Sequence, residues 1–179
     1  APVDIASLAC FRIVFGLLMF VDIIFYLRRG WVKSLFIDPK FFFTFPGFDW
    51  VKPWPGNGME TEFWIMAAAA LFIALGLFHR IAAAVFFLGI THVFLCEVSE
   101  YLNHLYLICV IAFLMIFVPV HRAWSLDAWR NPKLRSQTVP ACWLWLMRAQ
   151  VGIPYFFGGI AKLNADWLRG EPLRMWLAK

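Results

Sequence analysis

A chain of 179 residues with 63% apolar and only 15% charged residues departs from soluble domains, which carry about 25% charged residues. Its mean hydropathy of +0.73 excludes an ordinary soluble globule, because a fold of this size still exposes much of its surface, and predicts an all-α, polytopic transmembrane helical bundle. The net charge of +5 comes from basic residues scattered between apolar blocks, which suits loops beside membrane spans and excludes a nucleic-acid-binding surface.

Crossing about 30 Å of hydrocarbon takes about 20 apolar residues, or about 17 at the short end. Five segments approach that length: 5–27, 63–78, 81–98, 102–120 and 139–161. The first carries Arg12 and Asp22 and lacks a basic leader with a small-residue cleavage site, so it reads as a span and not as a cleavable signal. The second reaches a spanning length only with its aromatic flanks. Between the second and third stand only His79 and Arg80, so a tight antiparallel hairpin is expected to turn on those two residues. A short polar turn around "CEVSEYLNH" joins the third and fourth.

Two longer links remain. In 28–62, the stretch "FFFTFPGFDWVKPWPG" has too many prolines and glycines for a long helix and too many aromatics for a solvated loop. Its place is the headgroup interface, either covering the mouth of a cavity or as an anchor without a ligand. The link 121–138 carries Arg122, Arg130, Lys133 and Arg135. Basic residues flank the spans on both sides, so they do not orient the bundle. The abrupt ends predict that residues 1–179 form a single transmembrane domain cut from a longer polypeptide.

Charges inside spans usually face a bundle interior or a wet cavity. Arg12 and Asp22 are ten residues apart, about 80° around a helix, so they face one side without pairing, and a structural use is expected for both. Arg148 and Gln150 lie in "LWLMRAQVGIPYFFGGIAK" with Gly152, Pro154, Gly158 and Gly159. Such a helix either lines a cavity or crosses a neighbour closely. Cys10, Cys96, Cys109 and Cys142 fall in or beside apolar segments and read as buried free thiols. The four histidines show no metal-ligand spacing with acidic support, so no metal site is expected.

Lys162 stands where the fifth apolar segment gives way to the polar "LNADW". An amine withdrawn from water is easier to keep neutral, and a neutral amine is a base. A lysine at a helix end can equally snorkel to the headgroups. The residue pattern leaves both roles open.

From "FRIVFGLLMFVDI" through "NHLYL" and "HRAWSLDA" to "RAQVGIPYFFGGIAKLNADWLRG", the chain resembles, in collinear order, the membrane domain of the vitamin K-dependent gamma-glutamyl carboxylase family and its bacterial relatives, of the HTTM type. The resemblance implies an integral membrane enzyme that oxidises vitamin K hydroquinone, or a related naphthoquinol, with O2 to the epoxide. The oxygenated quinone removes a γ-proton from a glutamate of a protein or peptide substrate, and the carbanion adds CO2, without a metal. The family's base is the lysine before the "LDADW" type of motif, which here is Lys162. His104, Asn103, Gln150, Tyr106 and His121 are the residues expected to line or order the quinone site, with membrane lipids around the bundle.

This chain departs from the vertebrate pattern, with Ala161 in place of a second lysine, Asn164 in place of aspartate, and Val120 in place of an asparagine before the histidine. Simple alternation of five spans puts Asn103, His104 and Tyr106 on the side of Lys162 and His121 on the other. Quinol epoxidation without carboxylation, and a non-catalytic lipid- or quinone-binding scaffold, are the alternatives. A transporter is disfavoured, since the chain shows no inverted repeat.

Overall fold

A computed structural model describes residues 1–100 and 102–177. Tyr101, in the expected turn before the fourth span, and residues 178–179, in the expected unfinished helix, lie outside the described residues. The chain resolves into two compact units, Ala1–Ala141 and Cys142–Lys179.

The first unit is a helical bundle. Helix α1 covers Ala6–Arg28, α2 Gly58–Leu75, α3 His79–Cys96 and α4 Asn103–Phe117, followed by the short α5, Leu126–Arg130. Helices α1, α2 and α3 are long and apolar enough to cross a membrane, whereas α4 is apolar but has 15 residues. The second span is not short, as its flanks suggested: α2 begins at Gly58, because the polar "GMETE" continues the helix, with Glu60 in its first turn where the helix dipole favours an acid.

The core lies between the helices and is made of small and flexible side chains. Ala9 and Phe15 of α1, Met59, Ala70 and Ile73 of α2, Ala83 and Phe86 of α3, and Ala112 and Met115 of α4 are buried. Gly16 sets the α1–α2 approach, since a Cβ there would stand 2.5 Å from the Ala74 nitrogen and 2.7 Å from the Ala70 carbonyl. Small residues supply such contacts in membranes, where packing takes over from the hydrophobic effect. Meanwhile Leu18, Trp64, Ile81 and Leu88 are exposed, as lipid-facing residues are.

The hairpin between α2 and α3 turns on Gly76, Leu77 and Phe78, and His79 and Arg80 are already the first residues of α3. Gly76 adopts φ +64, the left-handed conformation that ends helices at glycine. Polarity pointed to the wrong residues. The Asp127 carboxylate accepts from the Phe78 and His79 backbone N–H groups, at 2.9 and 3.0 Å, satisfying the start of α3 and drawing His79 into the helix.

The all-α expectation misses one small feature. Strands β1, Pro2–Asp4, and β2, Thr138–Pro140, pair antiparallel with Val3 opposite Val139. Three residues with a proline at one end give no alternation to read. The aromatic segment 41–56 contains no helix and is fastened to the end of α3: the Phe43 N–H donates to Glu97 Oε2 at 3.1 Å and the Val98 N–H to the Phe43 carbonyl at 2.7 Å.

In the second unit, α6, Ala141–Ala161, contains Pro154. A turn leads to α7, Ala165–Leu168, and then α8, Glu171–Leu177.

Candidate functional site

Each end of the first unit carries a polar cluster. At one end, the Arg12 guanidinium is wholly buried. Its Nη1 donates to the carbonyls of Ile73, at 2.7 Å, and Ala74, at 2.5 Å, and its Nη2 to Trp124 at 2.5 Å. A cation there meets the negative end of α2, so Arg12 has the structural use the sequence suggested. His79 Nε2 lies 3.0 Å from the Met115 carbonyl, which fixes its hydrogen on that nitrogen. The His79 ring stacks on His121, with centroids 5.3 Å apart.

His121 therefore sits in a closed end-plate and is only 8% exposed. The "HRAWSLDA" stretch builds that plate. Ser125 Oγ donates to the His121 carbonyl and accepts from the Ala128 N–H at 3.0 Å, while the Asp127 N–H donates to the Gly76 carbonyl at 3.0 Å. Burial holds the His121 imidazole below its ordinary range; Asp127 opposes this, and Arg80, Arg122 and Arg12 add to it.

At the opposite end, Asp22, Tyr26 and Glu97 join Phe36, Phe63 and Leu105 around a partly enclosed cavity of ≈ 60 Å³. Asn103, His104 and Tyr106 are exposed on the first turn of α4, and Tyr106 touches Phe94 at 6.3 Å between ring centroids. Burial raises the Glu97 carboxyl, but the N–H and hydroxyl of Ser99 and the N–H of Phe43 outweigh it and hold the group below its ordinary range. The structure thus gathers Asn103, His104 and Tyr106 and separates them from His121 by the length of α4, about 22 Å at 1.5 Å per residue.

A third cluster was not legible as a site. His92 Nδ1 meets Glu62 Oε2 at 2.9 Å and Oε1 at 3.0 Å, and its Nε2 lies 3.1 Å from the Lys52 carbonyl. The Trp54 ring packs on His92 at 5.1 Å, and Cys96 Sγ lies 3.6 Å from Nε2. Thirty residues separate Glu62 from His92, so no local spacing announces the pair. Glu62 falls in the link before the second apolar segment and joins a helix only because α2 begins at Gly58.

The second unit holds Gln150, half-buried on α6, and Lys162, exposed in the turn after it. The turn is closed by the Lys162 N–H on the Gly159 carbonyl at 3.1 Å and the Leu163 N–H on Ile160 at 2.9 Å. Asn164 fastens both sides: its Nδ2 donates to the Ala161 carbonyl and its Oδ1 accepts from the Trp167 N–H, each at 3.0 Å. An aspartate could cap α7 in the same way but, ionised, has no N–H for Ala161. The Lys162 Nζ lies 5.0 Å from the centre of the Trp167 ring. Gly152, Gly158 and Gly159 have open space where a Cβ would stand.

These groups differ in their fit to a reduced naphthoquinone. The ≈ 60 Å³ cavity is well below the roughly 300 Å³ at which drug-sized ligand pockets begin, so it does not hold the bicyclic ring. The turn of the second unit presents an amine and an indole face side by side, Lys162 and Trp167. No solved structure matches the chain. A model of the HTTM domain matches residues 1–179. The chain therefore belongs to the HTTM family, the domain of vitamin K-dependent carboxylase-like proteins.

Proposed function

We propose that the chain is the membrane part of an enzyme that couples O2-dependent epoxidation of a vitamin K-type hydroquinone to γ-carboxylation of glutamate in a protein or peptide, with Lys162 as the base. The observation that carries this reading is the family match over the whole chain, including the turn in which Asn164 holds Lys162 beside Trp167. The hydroquinone, when bound, supplies the electrons for O2 and the driving force for taking the glutamate proton, and CO2 is the group added.

The work of the chain's own residues is narrower. Lys162 Nζ accepts a hydroxyl proton and must be unprotonated to do so. Trp167 restricts the amine and offers a flat apolar face, while Asn164 fixes the backbone from which Lys162 projects. Gln150, in the same unit, is the polar group assigned to ordering the quinone, and His121 supports the fold of the end-plate of the first unit.

One observation favours a second reading, a non-catalytic lipid- or quinone-binding scaffold. An exposed lysine over an indole is also how interfacial side chains anchor a span. Conversion of vitamin K hydroquinone to its epoxide, followed by mass spectrometry on the full-length parent in nanodiscs under O2, separates the two. Loss of epoxide in both Lys162→Ala and Lys162→Arg supports the base, since arginine keeps the charge and cannot give up its proton. Absence of epoxide from folded wild type leaves the scaffold. A glutamate peptide with labelled CO2 then distinguishes carboxylation from epoxidation alone.

A further inference from the structure

Between α2 and α3 runs a groove in two parts that share Ile65 and Val85. The first, ≈ 530 Å³, begins at Trp54 and Glu62. The second, ≈ 400 Å³, continues past Ala68 to Phe72 and is lined by apolar residues only. From Glu62 to Phe72 is ten residues of helix, about 15 Å. That is half of an about 30 Å hydrocarbon core, the depth reached by the chain of a lipid in one leaflet. The groove is therefore polar at one end, apolar along the rest, and one leaflet long.

The polar end selects among head groups. Both ring nitrogens of His92 face oxygens, the Lys52 carbonyl and the Glu62 carboxylate. A carbonyl only accepts, so Nε2 carries a hydrogen, and a second hydrogen lies between Nδ1 and the carboxylate. The Glu62–His92 pair is then neutral as a unit, with carboxylate lone pairs left over on the groove side. It suits a head group that donates hydrogen bonds and has no net charge. The Trp54 ring beside it suits a cation, and the exposed Lys52 brings a positive charge to the same end for a phosphate.

We propose that this groove binds one zwitterionic phospholipid with a primary-amine head, its ammonium on Glu62 and Trp54 and one acyl chain along Ile65, Ala68 and Phe72. A choline head has no N–H to donate, and a glycerol head has hydroxyls but no cation for the Glu62 carboxylate and the Trp54 ring. The site is independent of Lys162 and of the reaction proposed for it.

The test uses the full-length protein in nanodiscs of equal ethanolamine, choline and glycerol phospholipids with identical chains, followed by native mass spectrometry of the lipid retained on release. The expected result is one ethanolamine lipid per chain, preferred about tenfold over choline, the size of one charge-assisted hydrogen bond. Glu62→Gln should abolish the preference. Ala68→Phe, at an exposed position away from the polar end, should cut retention about tenfold by filling the chain path, on the scale of a lost buried chain segment. Equal retention of the three lipids, unchanged retention in Ala68→Phe, or displacement of the lipid by an equimolar isoprenyl quinol would overturn the proposal.

Discussion

Replacing Arg12 tests whether the first unit is held at one end by a single cation. In Arg12→Met the three carbonyls of Ile73, Ala74 and Trp124 lose their donor. An unsatisfied buried acceptor costs about 1–3 kcal/mol. Met also removes the cost of burying a charge, and water reaching the end-plate recovers part of the loss, so the expected destabilisation is about 3–5 kcal/mol, the range for breaking a buried ionic arrangement. At about 2–4 °C per kcal/mol for a chain of this size, the midpoint should fall on the order of 10 °C. Arg12→Lys keeps the charge, but one nitrogen cannot reach both the end of α2 and Trp124, so it should fall between. Thermal unfolding in detergent, followed by the reaction of a thiol dye with the buried Cys96 and Cys109, measures all three. A Met variant within about 0.5 kcal/mol of wild type, the spread of ordinary surface changes, would refute the view that these carbonyls depend on Arg12.

Gly76→Ala should destabilise by about 1–3 kcal/mol, the cost of a strained backbone, because Gly76 has φ +64 and a Cβ would meet Ser125 and stand 2.8 Å from Arg12 Nη1; the same melting assay reads it. For His121 the folded value lies below the ordinary 6.5, so the unfolded chain binds the proton more readily. Stability from this group is full above about pH 6.5 and declines as the pH falls through the folded value. Melting from pH 8 to pH 5 should show that decline, and His121→Gln should be flatter over the same range. A membrane-permeant maleimide should label Cys10 and Cys142, both exposed, in the native protein, and reach Cys96 and Cys109 only after denaturation. Mass spectrometry of the labelled peptides would expose a wrong packing if all four reacted at one rate. The sequence expectation of four buried thiols thus holds for two.

The order of apolar segments was readable because hydrocarbon demands long uncharged stretches, and 5–27, 81–98 and 102–120 fall close to α1, α3 and α4. Arg12 was readable as structural because a lone cation in a span needs partners, although nothing local said they would be carbonyls 61 and 62 residues away. The turn at Gly76 was misplaced by weighing polarity above backbone freedom. Glu62 and His92 escaped notice since their pairing exists only when α2 lies against α3. Asn103, His104 and Tyr106 share the first turn of α4 and His121 lies beyond its other end, as the alternation of spans suggests, whereas the resemblance alone names all four for one site. For Lys162, the spacing fixed its position after the glycines, and its chemistry came from the likeness of "KLNADW" to the family's motif.

The strand pair gives the first unit a timetable. Val3 finds Val139 only after 136 further residues have been made, about 7–27 s at ordinary rates of synthesis. Until then α1 can meet α2, and α2 can meet α3, but the ring of contacts through the 121–138 link stays open. Segments added early must therefore hold together in the bilayer by their own helix seams, and the last step of closure is a short β-ladder. Cutting the chain between α4 and β2 should then leave a bundle with its helices in place and one end unsealed.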